Sequence, residues 1–244
     1  MKCLILAAGY ATRLYPLTEN FPKPLLLVGE KTIIDWLIDD INTSNKVDEF
    51  IIISNHKYVN HFKNWAKDKK YKATILDDGT TSNDTRLGAV KDIEFAINEL
   101  NLNDDLLVIA GDNVLDFSLT KFIAYALNKK ASCVLRYLEK DEKTLSKRST
   151  IITNNTDLIL EMEEKPLVPK SKWCCPPFYY YIKEDTLKVK DAIKEGCAVD
   201  APGSFISWLS KVSNVYAMEM PGNRYDIGNL ESYEHVKKIY GGIK

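Results

Sequence analysis

The sequence predicts an α/β fold: a mostly parallel sheet with helices on both faces and a smaller β-rich lid. Three observations carry that prediction. Apolar runs of strand length alternate with segments of helical period from residue 4 to about residue 127. Two runs, Phe50-Ile51-Ile52-Ile53 and Leu106-Leu107-Val108-Ile109-Ala110, are continuous, as strands covered on both faces must be. Beyond about residue 131 the pattern changes to short strands and a hairpin, with no linker that would free an independent second domain.

Taken in order, Leu4-Ile5-Leu6 opens the chain as a strand that runs into the small-residue loop Ala7-Ala8-Gly9. Residues 32–41 place Ile33, Ile34, Leu37, Ile38 and Ile41 at helical spacing and leave Asp35, Asp39 and Asp40 on the wet side. After the strand at 50–53 come a helix at about 59–69 and a strand at 72–76. Residues 77–86 form a polar, turn-rich loop longer than most α/β connections, which raises the expectation that it binds something. A helix with Val90, Ile93, Ile97 and Leu100 on one face precedes the strand at 106–110, and Ser118 can cap a helix that turns Phe122, Ile123, Ala126 and Leu127 inward. The second half reads as a strand at 131–138, a charged connection at 140–147, a hairpin around Asn154-Asn155, an aromatic and proline-rich stretch at 173–182, short helices near 185–195 and 204–210, a strand at 215–220 and a closing helix from about Glu231.

Composition narrows the function classes. The 244 residues are 45% hydrophobic and 27% charged, enough for a substantial core, and 33 basic against 34 acidic side chains leave a net charge of −1. That balance gives no electrostatic basis for nucleic acid or an anionic membrane surface. The five cysteines are scattered, without a C-x-x-C pair, and read as reduced thiols. With no leader pattern and no run of 18 apolar residues, the expectation is a cytoplasmic protein without a membrane span.

Three features fall at the carboxyl ends of predicted parallel strands, where ligands of open sheets sit: the loop from Gly9 to Lys23, the 77–86 loop, and Gly111-Asp112-Asn113. The first combines small residues, which let backbone N–H groups approach an anion, with the cations Arg13 and Lys23, and so reads as a phosphate cradle. Gly9 by itself fits an ordinary turn, and the loop matches neither G-x-x-x-x-G-K-[ST] nor G-x-G-x-x-G. Asp112 is placed to be an oxygen ligand for Mg²⁺, or a turn residue. Asp226, in Arg224-Tyr225-Asp226-Ile227-Gly228, is a second carboxylate candidate, and also suits a helix-entry turn. The histidines His56, His61 and His235 lack partners at metal spacing, and no nucleophile triad is apparent.

The run L-A-A-G-Y-A-T-R-L-Y-P-L-T-E-N-F-P-K-P-L-L resembles the signature of the sugar-phosphate nucleotidyltransferases, which include glucose-1-phosphate thymidylyltransferase and mannose-1-phosphate guanylyltransferase. A-G-D-N at 110–113, E-K-P at 164–166, P-G-S-F-I at 202–206 and Y-D-I-G at 225–228 resemble further family blocks in the same order. The resemblance implies a Rossmann-like domain over 1–244, with a nucleotide-binding half at 1–130 and an acceptor-binding half with a closing helix at 131–244. It would condense an NTP with a sugar 1-phosphate, using Mg²⁺, and release pyrophosphate. Similarity to the family puts Ala7, Ala8 and Gly9 against the nucleotide, Arg13 on the β and γ phosphates and Lys23 near the α phosphate. Asp112 and Asp226 would hold the metal, with Asp112 also at the nucleotide. Lys165 would take the acceptor phosphate and Glu164 a sugar hydroxyl, with Tyr179 beside the sugar. Thr85 and Gly88 fall in the loop that reads the base.

The chain departs from the family pattern in three places. Ala11 stands where many members have a second glycine, Pro177 replaces a glycine ahead of the tyrosine that contacts the sugar, and the base-reading loop has no clear glutamine. A cytidylyltransferase acting on phosphocholine or a similar phosphate, and a non-catalytic nucleotide-binding regulatory subunit, are the alternatives. NTP and sugar 1-phosphate are the expected partners, nucleic acid and membrane are not, and a homo-oligomer is left open.

Overall fold

A computed structural model describes residues 1–243. Its strands are β1 (Lys2–Leu6), β2 (Leu27–Val28), β3 (Lys31–Thr32), β4 (Glu49–Ser54), β5 (Ala73–Asp77), β6 (Leu106–Ala110), β7 (Asn113–Leu115), β8 (Ser132–Leu138), β9 (Ser149–Thr153), β10 (Ile159–Glu164), β11 (Trp173–Cys175), β12 (Phe178–Tyr181), β13 (Val215–Glu219) and β14 (Arg224–Asp226). The helices are α1 (Ile33–Asn42), α2 (Val59–Ala66), α3 (Ala89–Glu99), α4 (Thr120–Lys129), α5 (Lys183–Thr186), α6 (Val189–Lys194), α7 (Gly203–Leu209) and α8 (Leu230–Ile239). The expected α/β class, a mixed and largely parallel sheet with helices, is what forms.

The chain groups into two compact units, and both are discontinuous in sequence. The first contains Met1–Arg86, Ile109–Lys121 and the segment from Pro221; the second contains Leu87–Val108 and Phe122–Met220. Neither coincides with residues 1–130 or 131–244, because β14 returns the end of the chain to β7, which follows β6.

In the first unit, β1 pairs with β4 and β4 with β5, all parallel. The register sets Leu6 opposite Ile53 and Ser54 opposite Asp77, so the carboxyl ends of the three strands line up. The Gly111 N–H donates to the Leu6 carbonyl at 3.0 Å, which adds the end of β6 to that edge. Cys3, Leu4, Ile51, Ile52 and Ile53 have no exposed surface, the condition in which a continuous apolar strand is stable. Thr32 caps α1, accepting from the Asp35 N–H, and the five isoleucine and leucine positions read from the sequence are all buried.

In the second unit, β8 pairs antiparallel with β11 and β12 and parallel with β13, while β9 pairs antiparallel with β10 and β11. Strands β11 and β12 follow one another along β8. From Cys174 to Tyr179 is five steps, matched by only three on β8, from Tyr137 to Val134. The two surplus residues form a bulge at Pro176-Pro177, where missing N–H groups interrupt the ladder. Several expectations are corrected. Leu127 is 37% exposed rather than turned inward, the helix expected at 185–195 is two short helices, and α2 stops at Ala66. The short strands β2, β3, β7 and β14 carry too few residues to show a period, and the sequence did not reveal them. Among the described residues, no helix is long and apolar enough to cross a membrane. All five cysteines are free thiols.

Candidate functional site

In the first unit, the loop after β1 is fixed from below. The Ala7 N–H donates to the Ile53 carbonyl at 3.0 Å, and Asn55, fully buried at the end of β4, donates its side-chain amide to the Ala8 carbonyl at 2.9 Å. Asn55 also accepts from the Tyr58 N–H at 3.1 Å, so both ends of its amide are engaged. Sequence reasoning missed Asn55; its one signal was a polar residue directly after an apolar strand. Ala7 and Ala8 are buried, whereas nothing lies within 4 Å of the place where a Gly9 β-carbon would stand. Packing therefore does not demand the glycine, and the space over it is open. Ala11 takes the left-handed conformation at φ 48° and ψ 39°, a region that glycine enters more easily, and it is held by Thr18, whose hydroxyl donates to the Ala11 carbonyl at 2.8 Å.

Lys23 and Asp112, 89 positions apart, form an ion pair at 2.8 Å. The Lys23 ammonium also donates to the Ile227 carbonyl at 3.0 Å. Asp226 sits opposite Asn113 in the β7–β14 ladder, and the Ile227 N–H donates to the Asp112 carbonyl at 3.1 Å, so the ladder brings both aspartates to one place. Arg13 is exposed beside them, with Nη2 4.0 Å from the position a Gly228 β-carbon would take. Two further residues complete the network. Arg224 donates to Asn113 Oδ1 at 2.6 Å and approaches Asp226 at 3.8 Å, and Asn113 in turn donates to Asp112 Oδ1 at 2.6 Å. Both stand next to the motif aspartates, but only the strand pairing shows what they do. Burial pushes the Asp112 carboxyl up, but Lys23, by charge and hydrogen bond, and Arg224 outweigh it and hold the group below the usual carboxylate range.

Among the described residues no group of three or more His, Cys, Asp or Glu is arranged to hold a metal ion. Asp112 and Asp226 are two oxygen donors, which fits Mg²⁺, a hard cation that takes one or two carboxylates and completes its shell with water and substrate phosphate.

The second unit carries the other expected residues. Glu164 and Ser149 are cross-strand partners on β10 and β9, and the Ser149 hydroxyl donates to Glu164 Oε2. Lys165 Nζ lies 4.0 Å from Glu164 Oε1 and is half exposed. Its backbone is left-handed at φ 49°, and its N–H donates to the Arg148 carbonyl at 3.1 Å. Tyr179 is 2% exposed, stacked on Tyr181 with ring centroids 6.1 Å apart, so its ring belongs to the core of this unit. Both base-loop residues take part in local turns. Thr85, in the first unit, closes a short 3-10 turn at Asn83–Thr85, accepting from the Ser82 N–H at 3.3 Å and donating to the Ser82 carbonyl at 3.1 Å.

Gly88, in the second unit, has φ 93°, and a β-carbon there would stand 2.6 Å from the Val199 carbonyl oxygen. The next two N–H groups, at the start of α3, donate to the Asp200 and Val199 carbonyls at 3.2 and 2.9 Å. Gly88→Ala is expected to destabilise the protein by about 2–4 kcal/mol through combined strain and overlap. Denaturant unfolding reads the effect, and an unchanged midpoint would show that the backbone relaxes freely at this junction.

A family model described as nucleotidyl transferase matches residues 2–241. Bifunctional protein GlmU of Methanococcus aeolicus is 30% identical over 98% of this chain and 55% of its own length. Glucose-1-phosphate adenylyltransferase of Fervidobacterium nodosum is 28% identical over 94% of this chain and 59% of its own. The chain thus spans somewhat over half the length of these curated relatives. Among solved structures, a protein named as a glucose-1-phosphate thymidylyltransferase from Bacillus anthracis, in complex with sucrose, superposes with a TM-score of 0.84 at 22% identity, covering 100% of this chain and 96% of that one. A UDP-glucose pyrophosphorylase complexed with UDP-glucose gives 0.84 at 19% identity, covering 98% and 97%. At these identities the structural likeness establishes the fold.

Proposed function

This chain belongs to the nucleotidyl transferase family, and on that premise we propose that it condenses a nucleoside triphosphate with a sugar 1-phosphate, giving an NDP-sugar and pyrophosphate. The observation that carries the reading is the node of Lys23, Asp112 and Asp226. It places one cation and two carboxylates at the strand ends where an open sheet receives its ligand. Curated relatives named for glucose 1-phosphate support a sugar-phosphate acceptor.

The acceptor's attacking phosphate oxygen is already ionised near neutral pH, so the reaction requires neither a side-chain nucleophile nor a strong general base. What it requires is alignment of two anions and cancellation of their repulsion. Two of the three Lys23 ammonium protons are held by Asp112 and the Ile227 carbonyl, and the third is left for an α-phosphate oxygen. Arg13 neutralises the departing pyrophosphate, and the open face of Gly9 admits the triphosphate, with Ala7 and Ala8 behind it. Mg²⁺, held by Asp112 and Asp226, would supply the remaining positive charge. Lys165 binds the acceptor phosphate and Glu164 a sugar hydroxyl, while the 77–88 loop, with Thr85 and Gly88, selects the base. Free thiols and a near-neutral net charge suit a cytoplasmic enzyme of small substrates.

Pyrophosphate release tests the proposal. The protein is incubated with Mg²⁺, each of ATP, GTP, CTP, UTP and dTTP, and a panel of sugar 1-phosphates with phosphocholine included. A productive sugar pair is expected. Release with phosphocholine alone would move the acceptor to the non-sugar class, and no release with any pair would defeat the enzymatic reading.

A further inference from the structure

We propose that Gly203 is a positioning residue for the acceptor: its missing β-carbon gives the Glu164 carboxylate its seat, with Ser149 as the clamp that turns one carboxylate oxygen outward. The inference rests on the reading of Glu164 as an acceptor ligand. A β-carbon on Gly203 would overlap Glu164 Oε2 and would stand 2.7 Å from Ser149 Oγ. Gly203 does not have positive φ, so the backbone does not demand glycine here; the glutamate does.

The seat is rigid on each side. Helix α7, which begins at Gly203, is tied to β10 by the Ser207 hydroxyl, which donates to the Met162 carbonyl at 2.7 Å. Its Phe205, Ile206 and Leu209 have no exposed surface, so the helix is not free to retreat from an added methyl group. Ser149 is 8% exposed and registers directly across from Glu164, with both side chains on one face of the β9–β10 pair. With Oε2 engaged by Ser149 and pressed against Gly203, Oε1 faces Lys165 Nζ at 4.0 Å. Glu164 also lines a cavity of about 570 Å³ with Ser204, Cys197 and Trp208. A carboxylate fixed this way meets a sugar hydroxyl without first losing rotamer freedom, which is where a positioning residue raises affinity.

The test is a double-mutant cycle on the full-length protein, with the productive pair from the pyrophosphate assay. Gly203→Ala and Ser149→Ala are each expected to raise the acceptor KM about tenfold, with the NTP KM unchanged, because a misplaced charged hydrogen bond costs on that order. Ser149→Thr should restore most of the loss by keeping the hydroxyl. In a Glu164→Ala background the space is empty, so adding Gly203→Ala should change the acceptor KM no further. If Glu164→Ala raises the acceptor KM while Gly203→Ala and Ser149→Ala leave it alone, the positioning role is wrong and the acceptor reading stands. A normal acceptor KM in Glu164→Ala overturns both. Should the single Gly203→Ala protein not fold, the Ser149 variants decide: an unchanged acceptor KM in Ser149→Ala rejects the clamp, and an increase that Ser149→Thr restores supports it.

Discussion

Asp112→Asn is expected to lower turnover by about 10²–10³-fold in a protein that still folds. The substitution keeps the shape of the side chain and removes its charge. Asp112 accepts from Lys23 through Oδ2 and from Asn113 through Oδ1. An amide at 112 can offer its oxygen to only one of them, so its NH₂ must face either the Lys23 ammonium or the Asn113 NH₂. Asn113 has no freedom to flip, since Arg224 donates to its oxygen at 2.6 Å. The mismatch should cost about 1–2 kcal/mol, tempered because the Asp112 side chain keeps 33% of its surface exposed.

The pH dependence of that stability difference has a definite sign. Lys23 and Arg224 prevail over burial and hold the native carboxyl below its ordinary value of 3.8. The stabilisation is therefore fully present above about pH 4 and fades only as the pH falls through the lower native value. Steady-state kinetics with paired thermal melts at pH 7 and pH 3 check both effects. Near-wild-type turnover would remove Asp112 from the site, and a stability gap unchanged at pH 3 would show that the charge does not stabilise the fold.

Lys165→Gly should separate activity from stability. At φ 49° an L-residue bears about 1–2 kcal/mol of strain that glycine escapes, and glycine's extra freedom in the unfolded chain returns about 0.5–1. The variant should be as stable as the wild type or up to about 1.5 kcal/mol more so. Removing the ammonium proposed to bind the acceptor phosphate should lower kcat/KM by about 10²-fold or more. Equal activity in the variant would make Lys165 a surface charge in an awkward turn. Stability that drops sharply would mean that its stem packs more than its half exposure suggests.

Much of the fold was legible because burial writes itself into local pattern. Ile51, Ile52 and Ile53 are apolar in succession because β4 is covered on both faces, and the isoleucines of α1 recur at helical spacing because one face is packed. Local pattern is silent where an element is too short for a period or where a side chain's environment comes from afar. Leu127 has the right spacing to face inward, yet it is 37% exposed. Tyr179 stands at a sugar-contact position of its motif, and its ring is buried because β12 is covered on both faces. The stretch at 173–182 reads as proline-rich, but that Pro176-Pro177 forms a bulge between two strands of one line along β8 follows only from the strand register.

The site divides in the same way. The sequence by itself determined the chemistry on offer: a small-residue loop with Arg13 and Lys23, the aspartates Asp112 and Asp226, and the Glu164-Lys165 pair. Each is a matter of residue type and order, which a chain displays without folding. Only the tertiary structure decided which groups meet. Lys23 reaches Asp112 across 89 positions, and Asp226 is carried to Asn113 by β14, a three-residue strand. Arg224, Asn55, Ser149 and Gly203 gained their roles from neighbours distant in sequence. A charge or a missing β-carbon has meaning only against what stands next to it, and that is settled when strand register and helix packing fix distances of a few ångströms.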